Sequence, residues 1–387
     1  MFAIETECQE LNVFAFDTRT ARAKDIRQYK DKVNKHILRS WIEVDFDRLE
    51  SNVRNIKRSL PDGVKYIGVV KADAYGHCMP QALVRFLRGG ADLFAVANLY
   101  EASRVREVVS DRQVLVLSPI LKEERPLAFD YGATPSVSSY AEAKAFDELA
   151  AQRGKRLSVH IKLDTGMGRA GVWHENADDV LPQILSLEHI KVDGILSHLS
   201  SADTDEAYTK NQAEIFKRIV GKYGTKDMLL HLHNSAALRY IPVEPPFNAV
   251  RVGLLHYGID PYYGGGFDNL EIKAVLAFKS RILAVGERNS KKLATVCAGY
   301  ADGVPGGFTQ DARVLVGGVL CPIIDSVGLD EMIVDATNAN PKVGDEVTFI
   351  GEQDGAEISL VDYSRWTRRI PWETMVAIPR RVDRILK

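Results

Sequence analysis

From residue 66 onward the chain alternates short, continuous apolar runs with stretches whose apolar residues recur at helical spacing, and this alternation constrains the fold more than any other feature. The runs fall at 66–70, 93–96 and 114–117, weakly around Ser136, then at 157–162, 191–197, 228–233 and 249–252. Stretches such as 141–153 and 207–223 lie between them and carry the helical period. A run without polar alternation is buried on both faces, and a strand followed by a helix rejoins its sheet in parallel. The pattern predicts an α/β protein with a parallel sheet under helices. Eight units within about 190 residues suit a closed (β/α)8 barrel of the TIM type better than an open sheet.

The rhythm breaks after Pro261. Tyr262-Tyr263-Gly264-Gly265-Gly266 precedes strand-like segments at 274–285, 294–298, 313–316 and 346–350, and helical patterns nearly vanish. Short strands punctuated by Gly and Asp turns predict a separate, mostly antiparallel β domain. The expected organisation is an N-terminal extension over residues 1–38, a barrel over 39–260 and a C-terminal β domain over 261–387. The extension carries Arg19, Arg22, Lys24, Arg27, Lys30, Lys32 and Lys35, a basic stretch expected to be a solvated face. A first strand at 41–45 precedes the barrel, and the pattern leaves open which domain it joins.

With 50 Lys and Arg against 52 Asp and Glu among 387 residues, the net charge is −2, which offers no electrostatic footprint for nucleic acid or an anionic membrane. Cys8, Cys78, Cys297 and Cys321 lack metal-type spacing and are too sparse for a disulfide scaffold, so they read as reduced thiols. The first residues hold Glu5, Glu7 and Glu10 without a basic n-region, and no run approaches the ~18 apolar residues of a membrane span. A cytoplasmic protein is expected.

In such a barrel, function collects where strands end. Lys71 immediately follows Val69-Val70 and opens Lys-Ala-Asp-Ala-Tyr-Gly-His. Desolvation there lowers an amine's pKa and suits it to Schiff-base chemistry; a lysine snorkelling to the surface is the alternative. The second strand end is Lys162-Leu163-Asp164-Thr165-Gly166-Met167-Gly168-Arg169, which puts three charges into a Gly-rich loop and reads equally as a salt-bridged turn. The third is Ser197-His198. The fourth is His233-Asn234-Ser235, where Ser235 with Ala236 and Ala237 begins a helix whose N-terminus can receive a phosphate, or simply caps it. The fifth is Arg251-Val252-Gly253-Leu254, with Gly253 permitting close backbone approach to a ligand. An amine, phosphate donors and a partner for a pyridine nitrogen are what pyridoxal phosphate requires.

These residues closely resemble the alanine racemase family, over residues 39 to 385. The resemblance implies a pyridoxal 5′-phosphate-binding barrel with a C-terminal β domain, a head-to-tail homodimer with shared active sites, and conversion of L-alanine to D-alanine. It implies that Lys71 carries the cofactor imine and that Tyr75, Ser235, Gly253 and Leu254 lie around the phosphate. It also implies that Arg251 faces the pyridine nitrogen, His198 lies beside it, and Arg169 touches the cofactor ring oxygen or the substrate carboxylate. In several members the lysine matching Lys162 is carbamylated and braces the arginine matching Arg169. A guanidinium opposite the ring nitrogen keeps that nitrogen unprotonated, which weakens the ring as an electron sink and suits racemisation over transamination. Lys71 then serves as base on one face, and the other face needs a second acid/base.

There the sequence departs from the family pattern. The family's second base is a tyrosine in a Ser-Tyr-Gly motif of the β domain, upstream of a Gly-Tyr-x-Asp-Gly motif and supplied by the other subunit. The later motif is present as Gly299-Tyr300-Ala301-Asp302-Gly303. The earlier one is missing: Val285-Gly286-Glu287-Arg288-Asn289-Ser290-Lys291-Lys292 leads almost directly into the strand before Tyr300. The family's Met-Asp appears as Leu329-Asp330, Gly306 or Gly307 replaces an arginine, and Arg380 stands close to the place of a phosphate-side tyrosine. The expected function is a pyridoxal-phosphate-dependent amino-acid racemase with Lys71, Tyr300 and Arg169 as catalytic residues. Two alternatives follow from the missing segment: one-sided chemistry of decarboxylase, lyase or aldolase type, and a non-catalytic cofactor-binding protein. No metal site is expected.

Overall fold

The computed structural model describes residues 38–387 apart from Gly264, Thr309 and Asp325. Residues 1–37 of the expected extension, Cys8 among them, lie outside the described residues. Strand β1 (Ser40–Val44) comes first. The barrel is built from β2 (Lys65–Val69), β3 (Leu93–Val96), β4 (Val114–Val116), β5 (Thr134–Val137) and β6 (Leu157–Asp164), the last with the two-residue β7 (Val172–Trp173) against it, followed by β8 (Ile190–Leu196), β9 (Leu229–His231) and β10 (Ala249–Val252). All pairs are parallel, in the order β10-β2-β3-β4-β5-β6-β8-β9. The eight apolar runs are therefore the eight staves of a nearly closed barrel.

Closure between β9 and β10 uses a side chain where a ladder would run. The Asn248 N–H donates to Leu230 O at 3.2 Å, while its Oδ1 accepts from Leu230 N at 2.7 Å and its Nδ2 donates to Met228 O at 2.8 Å. Near the strand ends, Arg251 N–H donates to His233 O at 3.0 Å. Helices cover the outside because their apolar stripes match the strands. Helix Phe46–Ser59, capped by Asp45, buries Leu49, Val53 and Ile56, each worth roughly 1.5–3 kcal/mol of apolar transfer.

The second sheet holds β11 (Leu276–Arg288), β12 (Lys291–Val296), β13 (Arg313–Val316), β14 (Val319–Pro322), β15 (Met332–Asp335), β16 (Glu346–Gln353), β17 (Ala356–Ile358) and β18 (Asp383–Leu386). Its pairs are antiparallel except β1 with β18. Strand β1 lies between β11 and β18, fully buried, which answers the open question of its domain. The expected near-absence of helix after residue 260 needs correction: helices Leu360–Thr367 and Pro371–Ala377 lie before β18. Both are too short to show a helical period, although Ser359 caps the first and Pro371 opens the second.

The segment short of residues is a tight hairpin. Gly286 pairs with Leu293, Glu287 with Lys292 and Arg288 with Lys291, leaving only Asn289 (φ 52°) and Ser290 (φ 61°) in the turn. Two left-handed residues are what a two-residue type I′ connection requires. Among the described residues no helix is long and apolar enough to cross a membrane.

Candidate active site

Lys71 stands at the mouth of the barrel, directly after β2, at the start of an unusual turn. Ala72, Asp73, Ala74 and Tyr75 have φ of 52°, 56°, 55° and 53°. Four consecutive L-residues in the left-handed region cost roughly 1–2 kcal/mol each, so the surroundings must hold them. Ala74 N–H donates to Val70 O and Gly76 N–H to Ala72 O, both at 2.9 Å. Asp73 Oδ1 accepts from Met79 N at 2.9 Å, Glu101 Oε1 accepts from Ala72 N at 2.7 Å, and His77 Nδ1 lies 3.0 Å from both Ala74 O and Tyr75 O. Gly76 has φ 83°, and a Cβ there would lie 2.9 Å from Met375 O, so only glycine lets the turn meet the helix from the β domain.

This turn sends Tyr75 against Gly253, where a Cβ would sit 3.2 Å from the tyrosine Oη. Burial, then the Glu101 charge, pushes the Tyr75 hydroxyl up to about 12. Lys71 Nζ lies 6.0 Å from the Tyr75 ring centre. Burial, seconded by the Arg169 guanidinium, lowers the lysine below its ordinary range, with Glu101 opposing.

Strand β6 alternates, so His160, Lys162 and Asp164 share its inner face. Asp164 makes no salt bridge in the turn that follows. Its Oδ1 accepts from Gly166, Met167 and Gly168 N–H at 2.9, 2.8 and 3.1 Å, and its Oδ2 from Arg169 N–H at 3.1 Å. Burial works against the charge, yet those donors hold the carboxyl below its ordinary value. The aspartate thus folds the loop that presents Arg169. Lys162 Nζ donates to Leu117 O at 2.9 Å, and burial followed by Arg169 and Arg251 lowers the amine to about 8.

Arg251, on β10, is buried among acceptors. Nη1 donates to His231 O at 2.7 Å and His231 Nδ1 at 2.9 Å; Nη2 donates to Ser197 O at 2.6 Å and Leu232 O at 3.1 Å. Burial lowers it to about 9, which leaves it cationic at neutral pH. A guanidinium only donates, so His231 Nδ1 accepts and its Nε2–H must face His160 Nδ1, 2.9 Å away. His198 is pushed well below its ordinary pKa by burial, then by Arg251, Arg169, Lys71 and Lys162, and stays neutral.

Ser235 needs a correction. No α-helix begins there; only a 3-10 turn, Ala237–Arg239, follows, because Pro242 and then Pro245-Pro246 bar a longer helix. Nor is Ser235 its cap: Asn234 Oδ1 accepts from Ala237 N at 3.0 Å. Ser235 Oγ accepts from Gly253 N at 3.0 Å and Leu255 N at 3.3 Å, which ties it to the strand end holding Gly253 and Leu254. Its own proton stays available for an anion. Tyr300 is not gathered into this cluster. It begins the 3-10 turn Tyr300–Asp302 of the β domain and is 55% exposed.

Sequence reasoning missed His160, His231 and Glu101. The histidines carried a faint signal, since His160 stands two residues before Lys162 and His231 two before His233, on inward-facing positions. Lys71, Lys162, Arg169 and Arg251 lie within mutual electrostatic reach, and among the described residues none of the four forms an ion pair. Cations in excess over the nearby carboxylates Glu101 and Asp164, around an amine of lowered pKa, suit a ligand bearing a phosphate and a carbonyl, with a carboxylate substrate beside it. The donor set fits pyridoxal phosphate.

Two family models match the chain: the alanine racemase N-terminal domain over residues 44–261 and the alanine racemase C-terminal domain over residues 283–386. An alanine racemase of Halothermothrix orenii is 34% identical over 376 residues, covering 92% of this chain and 99% of that protein. Among solved structures, alanine racemase of Clostridium difficile 630 in complex with cycloserine superposes with a TM-score of 0.82 at 30% identity, covering 90% of this chain and 96% of the other. Alanine racemase from Bartonella henselae with covalently bound pyridoxal phosphate gives 0.82 at 25% identity, over 90% and 99%.

Proposed function

The chain belongs to the alanine racemase family, and we propose that it holds pyridoxal 5′-phosphate on Lys71 and interconverts L- and D-alanine as a cytoplasmic homodimer. The observation that carries this reading is the convergence of Lys71, Lys162, Arg169, His198 and Arg251 at the strand ends. When bound, the cofactor supplies the electron sink that makes the substrate Cα–H acidic. The protein supplies the rest. Lys71, with its lowered pKa, accepts and returns a proton at Nζ on one face. Arg251 spends four N–H donors on protein acceptors, which leaves Nε–H for the ring nitrogen and denies that nitrogen a proton. Ser235, Tyr75 and the backbone N–H of Leu254 would take the phosphate beside Gly253, whose own N–H donates to Ser235 Oγ, and Arg169 would take a carboxylate. Lys162, partly neutral near pH 8, is the residue to carry a carbamate, whose negative charge would brace Arg169.

The hairpin favours a second reading. With only Asn289 and Ser290 between β11 and β12, no tyrosine can project there toward a neighbouring subunit. Tyr300, exposed on the β domain, is the first candidate for the second face in a dimer, with Tyr262, Tyr263 or water as the others. Without such a base, the same scaffold suits one-sided decarboxylase, lyase or aldolase chemistry, or cofactor binding alone.

Incubation with L-alanine in deuterium oxide separates these readings. Racemisation predicts Cα deuteration together with D-alanine. Deuteration with retained configuration establishes the one-sided alternative, and no exchange with any amino acid leaves a binding protein. The cofactor assignment predicts an absorbance band near ~420 nm that is lost in Lys71→Ala; persistence of the band rejects Lys71 as the imine lysine.

A further inference from the structure

Two carboxylates make the same contact in two repeats of the barrel. Glu101 is the third residue of helix Leu99–Arg106, which Asn98 caps. Its Oε2 accepts from Ala97 N at 2.8 Å, at the end of β3, and its Oε1 accepts from Ala72 N at 2.7 Å, in the turn after β2. Glu142 is the third residue of helix Tyr140–Gln152, which Ser139 caps. Its Oε2 accepts from Ser138 N at 2.8 Å, at the end of β5, and its Oε1 from Ile120 N at 3.4 Å, in the loop after β4. Each carboxylate latches its own strand end to the loop of the preceding strand. The two differ in what that loop carries.

We propose that Glu101 is a positioning residue for Lys71: its carboxylate pins the Ala72 N–H and so holds the left-handed turn that keeps the lysine in the strand-end cluster, whereas Glu142 is the same latch with a structural duty alone. The Ala72 N–H lies in the first turn of a helical segment and has no partner within it, so it needs an outside acceptor. Four left-handed residues in a row would relax toward ordinary backbone without one. The same carboxylate also opposes the effect of burial and Arg169 on the lysine. Glutamine keeps the shape of Glu101 but offers one acceptor oxygen where two N–H groups point.

This inference rests on the reading of Lys71 as the cofactor lysine. The test titrates the full-length chain with pyridoxal phosphate and follows the band near ~420 nm. E101Q is expected to weaken cofactor affinity roughly ten-fold, and E142Q to leave it within about two-fold. Adding A72G to E101Q is expected to restore most of the loss, because glycine adopts the left-handed conformation without steric cost. The proposal is overturned if E101Q binds like the unsubstituted chain, if E142Q loses as much, or if A72G restores nothing, which would mean that charge rather than position mattered. Should E101Q alone fail to fold, A72G/E101Q must still fold and bind near normally; an unfolded or weak-binding double variant also overturns it. An unsubstituted chain that shows no band refutes the cofactor reading itself, and a band indifferent to E101Q refutes only the role of Glu101.

Discussion

Arg251 and Lys162 are both buried cations, and the protein treats them oppositely. Four acceptors surround the Arg251 guanidinium, three of them backbone carbonyls, so a planar fork is required. Lysine at that position has three donors and no fork. Arg251→Lys should strand at least one buried carbonyl and destabilise the chain by about 3 kcal/mol, read as a lowered denaturant midpoint with an unchanged slope; an unchanged midpoint would show that the fork is dispensable. Lys162 has one carbonyl partner and three cationic neighbours, Arg169, Arg251 and Lys71, an arrangement suited to an amine that loses its charge. At this scale the sequence was legible where charged side chains stand at or just beyond the end of an apolar run, as at Lys71, Arg169 and Arg251. His160 and His231 escaped because a polar residue inside a strand reveals its purpose only when the partner strand is known.

Among the elements, legibility followed length. Eight strands showed as continuous apolar runs and the long helices by their period, whereas the helices Leu360–Thr367 and Pro371–Ala377 offered only a cap and a proline. The turn after Lys71 was invisible for another reason. Left-handed backbone is normally marked by glycine or asparagine, but here it is occupied by Ala, Asp, Ala and Tyr, and tertiary hydrogen bonds override their preference. The β11–β12 hairpin is the converse case, since the shortage of residues at 285–292 left room for nothing but a tight turn. Ser290 sits at φ 61°, a conformation that favours glycine. Ser290→Gly should therefore stabilise the protein by about 1 kcal/mol, seen as a higher denaturant midpoint, and leave cofactor binding unchanged. A fall in the midpoint would mean that the turn is not under backbone strain.

For the whole molecule, the burial of uncharged histidines in both the barrel core and its rim sets how stability responds to acid. Burial lowers His77, His160 and His233 to about 4, against an ordinary value near 6.5. His198, His231 and His256 are likewise pushed well below the ordinary value, again by burial first. Between pH 6.5 and 4 the unfolded chain takes up protons that the folded chain excludes, so stability falls as pH falls through that window and is fully present only above it. A depression from 6.5 to 4 corresponds to roughly 3 kcal/mol per group, and three such groups to roughly 10 kcal/mol, comparable to the entire stability of an ordinary domain. The depressed carboxyls, Asp92, Asp164, Asp178 and Asp335, act in the same direction only at lower pH, because their contribution is lost below the ordinary carboxylate range. The onset therefore identifies the histidines. Urea midpoints measured from pH 8 to pH 4, with and without pyridoxal phosphate, should begin to drop near pH 6.5 and reach zero before pH 4, and His233→Phe should flatten the slope. A midpoint that holds level down to pH 5 would mean that these rings are already protonated, or solvated, in the folded protein.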